Sequence, residues 1–170
     1  MVGKSIARGF LSNKSRISNT TALQGEENMK LGEMVFIGHF NFIDATYGLT
    51  IEKGTQITNY VSILTHSSHN AVRLYGAEYM SIRDKKAYNI GEVSIGEYAY
   101  IGPHTVIMPN TKIGKGSLVG AYSYVKGTFP DFAIITGNPG KIVGDTRKMD
   151  ERLLRQYPEL KPLYDEWAQG

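Results

Sequence analysis

The chain has 170 residues, 41% of them hydrophobic and 21% charged, as is ordinary for a globular protein. Its formal net charge of +3 does not demand a nucleic-acid partner, although it is compatible with a phosphorylated small ligand. The absence of cysteine excludes disulfides, thiolate zinc sites and a cysteine nucleophile. Because no apolar run is long enough to span a membrane and the start MVGKSIARGFLSN is too polar for a signal peptide, we expect a cytoplasmic protein.

Taken in chain order, residues 1–16 are predicted to form an N-terminal arm, and apolar residues then recur at a spacing of six. The segment RISNTTALQGEENMK carries degenerate first turns of this repeat. The period is clearest in the stretch SIGEYAYIGPHTVIMPNTKIGKGSLVGAYSYV. The repeating positions are Ile17, Leu23, Met29, Ile37, Ile43, Ile51, Ile57, Ile63, Ile95, Ile101, Ile107, Ile113, Val119 and Val125.

A period of six fits neither an amphipathic helix, which needs 3.6, nor an alternating strand. It indicates one short strand and one turn per hexad, with three hexads closing a triangular coil. We expect the aliphatic residue of each hexad to point inward and the turn position to favour Gly or Asn, which tolerate positive φ. The pattern therefore predicts an all-β parallel β-helix over residues 17–144.

The repeat is interrupted between Ile63 and Ile95, where residues 67–90 are predicted to form a protruding loop. Long loops in compact domains often serve as functional lids. Two histidines, His66 and His69, stand at the start of this interruption. After the last hexad, residues 145–170 predict two short helical pieces that cap the open end of the β-helix.

The blocks ILTHSSHNAVR, AYIGPHTVIMPNTKIGKGSLVGAYSYV and FPDFAIITGNPGKIVG resemble the hexapeptide-repeat acyltransferases, and most closely the galactoside/maltose O-acetyltransferases and related enzymes that acetylate sugars of surface polysaccharides. The resemblance implies a left-handed β-helix. It also implies transfer of an acetyl group from acetyl-CoA to a carbohydrate hydroxyl in a homotrimer whose active sites lie between subunits.

By the same resemblance, His66 is the general base. An imidazole can accept the proton of a sugar hydroxyl as its oxygen attacks the thioester, so the enzyme needs no nucleophile of its own. The resemblance also points to acceptor contacts at Asp44, His69 and Tyr100. For Asp44 the alternative is a turn residue, and for His69 it is a contact with CoA or simple exposure.

The C-terminal coils carry the residues that the resemblance assigns to CoA. These are Gly102, Gly120, Ala121, Lys126, Gly137, Asn138 and Lys141. One departure concerns the oxyanion, because Pro103 stands where the galactoside-type enzymes offer a backbone N–H. Gly102 or a neighbouring turn would then have to supply the donor. His104, which follows this turn, is expected at the surface and keeps a minor claim to a role.

Three alternatives remain beside this interpretation. A zinc site is disfavoured because the close histidines are three residues apart in a loop, so we expect no metal. N-acetylation of an amino sugar or amine would use the same fold. A non-catalytic β-helix scaffold would need neither the histidine loop nor the GNPGK segment. We expect neither a nucleic-acid partner nor a membrane span.

Overall fold

The computed structural model describes residues 9–10, as backbone only, and residues 14–169. Most of the predicted N-terminal arm, residues 1–8 and 11–13, therefore lies outside the described residues, as does Gly170. The strands in chain order are β1 (Gly9–Phe10), β2 (Arg16–Ile17), β3 (Ala22–Gln24), β4 (Met29–Leu31), β5 (Phe36–Ile37), β6 (Phe42–Asp44), β7 (Leu49–Ile51), β8 (Gln56–Ile57), β9 (Ser62–Ile63), β10 (His66–Ser67), β11 (Asn89–Ile90), β12 (Val93–Ile95), β13 (Tyr100–Ile101), β14 (Val106–Ile107), β15 (Thr111–Ile113), β16 (Leu118–Val119), β17 (Tyr124–Val125), β18 (Thr128–Phe129), β19 (Ala133–Thr136) and β20 (Lys141–Asp145).

These strands form three stacked sheets and one separate ribbon within the described residues. Sheet I has the order β1-β2-β5-β8-β13-β16-β19-β20, sheet II the order β3-β6-β9-β14-β17, and sheet III the order β4-β7-β12-β15-β18. Strands β10 and β11 pair antiparallel with each other. The chain visits sheets I, II and III in turn with parallel pairing between coils, as a parallel β-helix requires. The predicted left-handed β-helix with a protruding loop is confirmed. We name the corners by the sheets that they join: I/II, II/III and III/I.

The core is a column of the predicted inward residues. Side chains from Ile37 to Val125 in the hexad positions are at most 1% exposed, and Leu23 and Met29 pack against them at the N-terminal end. A second inward position lies two residues earlier and holds small side chains, such as Thr55 and Ser117, whose hydroxyls donate to backbone carbonyls of the next coil. The coil is therefore filled by one large and one small residue per hexad.

The glycines that follow the inward residues have a different purpose from the one expected. Gly96 and Gly102 do not adopt positive φ. Instead, a Cβ on Gly96 would lie 2.5 Å from the backbone nitrogen of Lys115, and one on Gly102 would lie 2.7 Å from the carbonyl oxygen of Val119. Glycine is required here because the next coil passes too close for any side chain.

The expectation of Gly or Asn at the positive-φ turn positions is wrong at many corners. Aromatic residues occupy that conformation at corner I/II, with φ between 57° and 59°. There Phe40 stacks on Tyr60 at 5.3 Å, Tyr60 on His104 at 4.8 Å, and His104 on Tyr122 at 4.7 Å between ring centroids. Each left-handed residue costs about 1–2 kcal/mol, and ring stacking worth about 0.5–1.5 kcal/mol per pair offsets much of this cost.

The protruding segment leaves the β-helix at corner II/III. It contains helix α1 (Ala71–Tyr75) and a 3-10 turn (Gly76–Met80), and the ribbon β10–β11 closes it at its root. A further 3-10 turn, Glu26–Asn28, precedes β4 at the same corner. The segment is thus an excursion from one coil that returns to the same coil.

The C-terminal tail forms α2 (Thr146–Gln156), a 3-10 turn (Pro158–Leu160) and α3 (Lys161–Ala168). Its predicted capping role needs correction, because the edge of sheet I is covered by β20. The tail instead packs along corner III/I, where Trp167 lies 4.6 Å from Tyr98 and 5.9 Å from Phe132 between ring centroids. The indole occupies the space left open beside Gly116.

Among the described residues, no helix combines the length and apolar character needed to cross a bilayer.

Candidate active site

His66 lies at corner II/III, where the repeat stops. Three residues after the inward Ile63 the chain turns into β10, and the backbone of His66 pairs with that of Ile90. The imidazole is half-buried, with 27% of its side chain exposed. The rigid column beneath and the ribbon beside it fix the ring at the rim of the coil.

Asp44 lies beneath this histidine, one coil earlier. Its Oδ2 is 2.7 Å from Nδ1 of His66, and the carboxylate side chain is 0% exposed. Asp44 Oδ1 accepts from the backbone N–H of Thr46, and Oδ2 accepts from the N–H and hydroxyl of Thr65. Burial alone would raise the pKa of the carboxyl, but the hydrogen bonds from Thr46 and Thr65 outweigh it and lower the pKa to about 2. The group is therefore an anion at neutral pH.

The acceptor contact predicted for Asp44 is thus wrong, since a fully buried carboxylate cannot reach a substrate. Its contact with His66 is close but does not have the geometry of a regular hydrogen bond, and Nδ1 has no such bond within residues 14–169. A carboxylate at Nδ1 favours the proton on that nitrogen and leaves Nε2 as the acceptor. This arrangement suits a general base.

Two tyrosines flank the histidine ring, and the sequence did not single them out. Tyr47 meets His66 edge-on with ring centroids 5.8 Å apart, and Tyr88 lies nearly parallel to it at 5.8 Å. Burial raises the pKa of Tyr88, with smaller contributions from Tyr79, Tyr47 and Asp44, so its phenol remains neutral. Tyr88 returns from the far end of the protruding segment, which is why the repeat pattern could not reveal it.

His69 lies outside this cluster. Its ring is exposed and its Nδ1 is 2.8 Å from the hydroxyl of Ser67. Its backbone carbonyl accepts a hydrogen bond from the Arg73 guanidinium, which ties it to α1. His69 is therefore part of the protruding segment, with no carboxylate partner among the described residues.

The residues predicted to contact CoA fall into three groups. Lys126 is exposed at corner II/III, two coils beyond His66. Gly102, Gly120 and Ala121 lie instead at corner I/II. Tyr100, which is predicted to contact the acceptor, is exposed on sheet I. The remaining three, Gly137, Asn138 and Lys141, lie on the hairpin that joins β19 to β20 in sheet I.

The turn around Pro103 offers no free donor at Gly102. The N–H of Gly102 donates to the carbonyl of Val119, 2.9 Å away, as part of the ladder between coils. An oxyanion would therefore need a donor elsewhere. His104 is exposed at the corner but is stacked between Tyr60 and Tyr122, which matches its expected surface position.

Two cavities flank His66. A cavity of about 510 Å³, which we call the loop cavity, is lined by Tyr79, Arg83, Asp84, Lys85, Tyr88 and Ile90. A second, of about 400 Å³, is lined by residues 27–30 and 46–48, which include the Tyr47 that contacts His66. A third cavity of about 520 Å³ lies at corner III/I beside Trp167 and includes none of the residues around His66. Within the described residues, no cluster of three or more His, Asp or Glu side chains could hold a metal ion.

Known proteins share the repeat and the fold. The family model for the bacterial transferase hexapeptide (six repeats) matches residues 92–127. The chain is 30% identical over 113 residues to WbbJ of Escherichia coli K12, a candidate lipopolysaccharide biosynthesis O-acetyl transferase, covering 64% of this chain and 56% of WbbJ. It spans between 38% and 56% of the length of the first three curated relatives.

Two solved structures illustrate the fold. A galactoside acetyltransferase in complex with coenzyme A superimposes with a TM-score of 0.65 at 22% identity, covering 81% of this chain and 64% of that one. The N-acyltransferase AntD of Bacillus cereus, in complex with dTDP and 3-hydroxybutyryl-CoA, gives 0.63 at 20% identity, covering 85% and 88%. The hexapeptide repeat is thus recognised in residues 92–127, and the chain shares the fold of these two acyltransferases.

Proposed function

We propose that the chain is an acetyl-CoA-dependent O-acetyltransferase that modifies a sugar hydroxyl, with His66 as general base. The observation that carries the proposal is the buried Asp44 carboxylate 2.7 Å behind a histidine that is itself 27% exposed. A structural histidine needs no ionised, desolvated partner, whereas a base that must hold a proton transiently benefits from one. The names of WbbJ and of the galactoside acetyltransferase support the same reaction class.

In the proposed reaction, Nε2 of His66 takes the proton of the acceptor hydroxyl as the oxygen attacks the thioester carbonyl of acetyl-CoA. The tetrahedral intermediate then collapses, the C–S bond breaks, and the leaving thiolate takes up the proton from the imidazolium. Asp44 stabilises that imidazolium and keeps Nδ1 protonated throughout, so it is a positioning residue. General-base assistance of this kind is worth about 10²–10⁴-fold in rate.

The acetyl donor would be held largely by the predicted CoA residues, and these bear on assembly. Ala121 and Gly120 lie at corner I/II, while His66 lies at corner II/III and two coils nearer the N-terminus. A single triangular coil points these two corners in different directions. We therefore propose that corner I/II of one subunit faces corner II/III of another, as a homotrimer with sites between subunits would require.

A thiol-release assay with acetyl-CoA over a panel of sugars tests the proposal. We expect CoA release with at least one sugar, together with CoA binding in calorimetry. Absence of both would contradict an acetyl-CoA-dependent transferase.

N-acyl transfer is the second candidate, because the fold is shared with AntD and an unprotonated amine could use the same base. Mild alkali distinguishes the products, since an ester is cleaved and an amide survives. An alkali-stable product would replace the O-acetyl assignment while keeping the base. A non-catalytic scaffold would show neither product.

A further inference from the structure

The loop cavity is the larger of the two cavities beside His66. It shares two residues with the surroundings of the imidazole: Tyr88 stacks on the ring, and Ile90 pairs with His66 across the ribbon β10–β11. A molecule in the cavity would therefore lie against the same tyrosine as the proposed base. Its volume of about 510 Å³ is in the range of small-molecule sites.

The lining of this cavity has a net positive charge. Arg83 and Lys85 line it, with Asp84 as the one acidic lining residue. Neither cation forms an ion pair with a carboxylate anywhere in residues 14–169. A guanidinium that projects into a cavity without a partner is well suited to bind the oxygens of an anion.

The two cations differ in how they are held. The Lys85 ammonium lies 4.7 Å from the centre of the Tyr79 ring and donates to the carbonyl of Ile82, so it is fixed in place. Arg83 is exposed and has no such internal contact among the described residues. Lys85 thus sets a fixed positive charge, and Arg83 remains able to close on a ligand. The phenol of Tyr88, kept neutral because burial raises its pKa, adds a hydrogen-bond donor.

We propose that the loop cavity binds an anionic group of the acceptor, and specifically the phosphate of a phosphorylated sugar, while the sugar ring lies beside Tyr88 and against the exposed edge of His66. The inference rests on the proposed sugar acetylation, whose acceptor it narrows to a sugar phosphate. Arg83 and Lys85 would contact the phosphate, and the aromatic rings would contact the sugar. A carboxylate on a uronic acid presents related chemistry, and the experiment separates the two.

The test is calorimetric binding of glucose 1-phosphate, glucuronic acid and methyl glucoside to the full chain with saturating CoA present, so that the phosphate contacts of the donor are already filled. We expect glucose 1-phosphate to bind most tightly and methyl glucoside least. Arg83→Gln should raise the Kd for glucose 1-phosphate about tenfold, as expected for one charged hydrogen bond in a partly exposed site. Arg83→Lys keeps the positive charge but loses the planar guanidinium that can donate two parallel hydrogen bonds to a phosphate, so it should raise the Kd by a smaller factor.

Lys86→Gln is the matched control, because Lys86 is an exposed neighbour with the same charge that does not line the cavity. It should leave the Kd unchanged. An equal Kd in wild type and Arg83→Gln, or an equal effect of Lys86→Gln, would overturn the proposal. So would tighter binding of glucuronic acid than of glucose 1-phosphate, or a loss of CoA affinity in Arg83→Gln, which would assign the cavity to a carboxylate or to the donor.

Failure of this inference and failure of the proposed function are distinguishable. If sugars are acetylated but glucose 1-phosphate does not bind, the proposed transferase activity is supported and the proposed phosphate site is contradicted. If glucose 1-phosphate binds in an Arg83-dependent way but no acetyl group is transferred to any acceptor, the proposed phosphate site is supported and the proposed transferase activity is contradicted.

Discussion

Asp44→Asn removes the charge behind His66 while keeping the size of the side chain, and it tests whether Asp44 positions the base. The carboxylate accepts three hydrogen bonds, at 2.9 Å from Thr46 and at 3.0 and 2.8 Å from Thr65. An amide has one oxygen, so it loses either the bond from Thr46 or the two bonds from Thr65, according to which way the amide is turned. At about 1.5 kcal/mol for each bond to a charged group, we expect a loss of about 1.5–3 kcal/mol. For a chain of this size, that lowers Tm by about 3–12 °C.

The effect on catalysis should be separable from the loss of stability. We expect kcat to fall between about 10- and 1000-fold, because the variant keeps the imidazole but loses the group that orients it and stabilises its cation. The loss cannot exceed that of His66→Ala, and the double variant should be no slower than His66→Ala alone. Rates are measured by thiol release at a temperature at which every variant is folded. Multiplicative losses in the double variant would refute the positioning role.

Asn41→Ala provides the matched control for stability. Asn41 belongs to the same coil, is 2% exposed, and bonds Thr58 and Val61 at corner I/II through its side chain. Its removal should lower Tm by a comparable amount without changing kcat. An equal fall of kcat in this variant would show that loosening the coil, rather than losing the carboxylate, explains the effect of Asp44→Asn.

The remaining predictions concern stability and assembly. Folding lowers the pKa of Asp44 from 3.8 to about 2, so the ionised carboxylate stabilises the fold above its unfolded pKa, and this contribution is lost as pH falls toward 2. In urea unfolding, the free energy of unfolding of wild type should therefore fall by about 2 kcal/mol more than that of Asp44→Asn between pH 5 and pH 2. Gly96→Ala should lower the free energy of unfolding by about 1–3 kcal/mol in the same assay, because its Cβ would lie 2.5 Å from the backbone nitrogen of Lys115. A variant as stable as wild type would contradict this close approach of the two coils. Light scattering should give the mass of a trimer, and a monomer at working concentration would contradict sites shared between subunits.

The sequence predicted the parts of the fold that repeat. The six-residue spacing identified the inward column from Ile37 to Val125, because every coil imposes the same burial on the same position. It failed at the corners, where Tyr60 and His104 adopt positive φ. Stacking between rings of successive coils offsets the backbone cost there, and a rule about single residues cannot include a contact between coils. The position of Trp167 was missed for the same reason.

The candidate site was predicted only in part. The interruption after Ile63 drew attention to His66, but the role of Asp44 required knowing that its side chain turns inward, which a substrate contact does not allow. Tyr88 reaches the ring only because the segment returns through β11. Contacts made by a non-repeating excursion leave no period in the sequence, so they had to come from the structure.

The central claim is that His66 removes the proton of the acceptor, and the most direct measurement is kcat of His66→Ala in the thiol-release assay, with CoA affinity determined by calorimetry on the same preparation. We predict that kcat falls by at least about 10²-fold, while the Kd for CoA changes by less than about twofold, because the imidazole acts on the acceptor and does not bind the donor. An unchanged kcat would contradict the account and would show that the Asp44–His66 pair is structural.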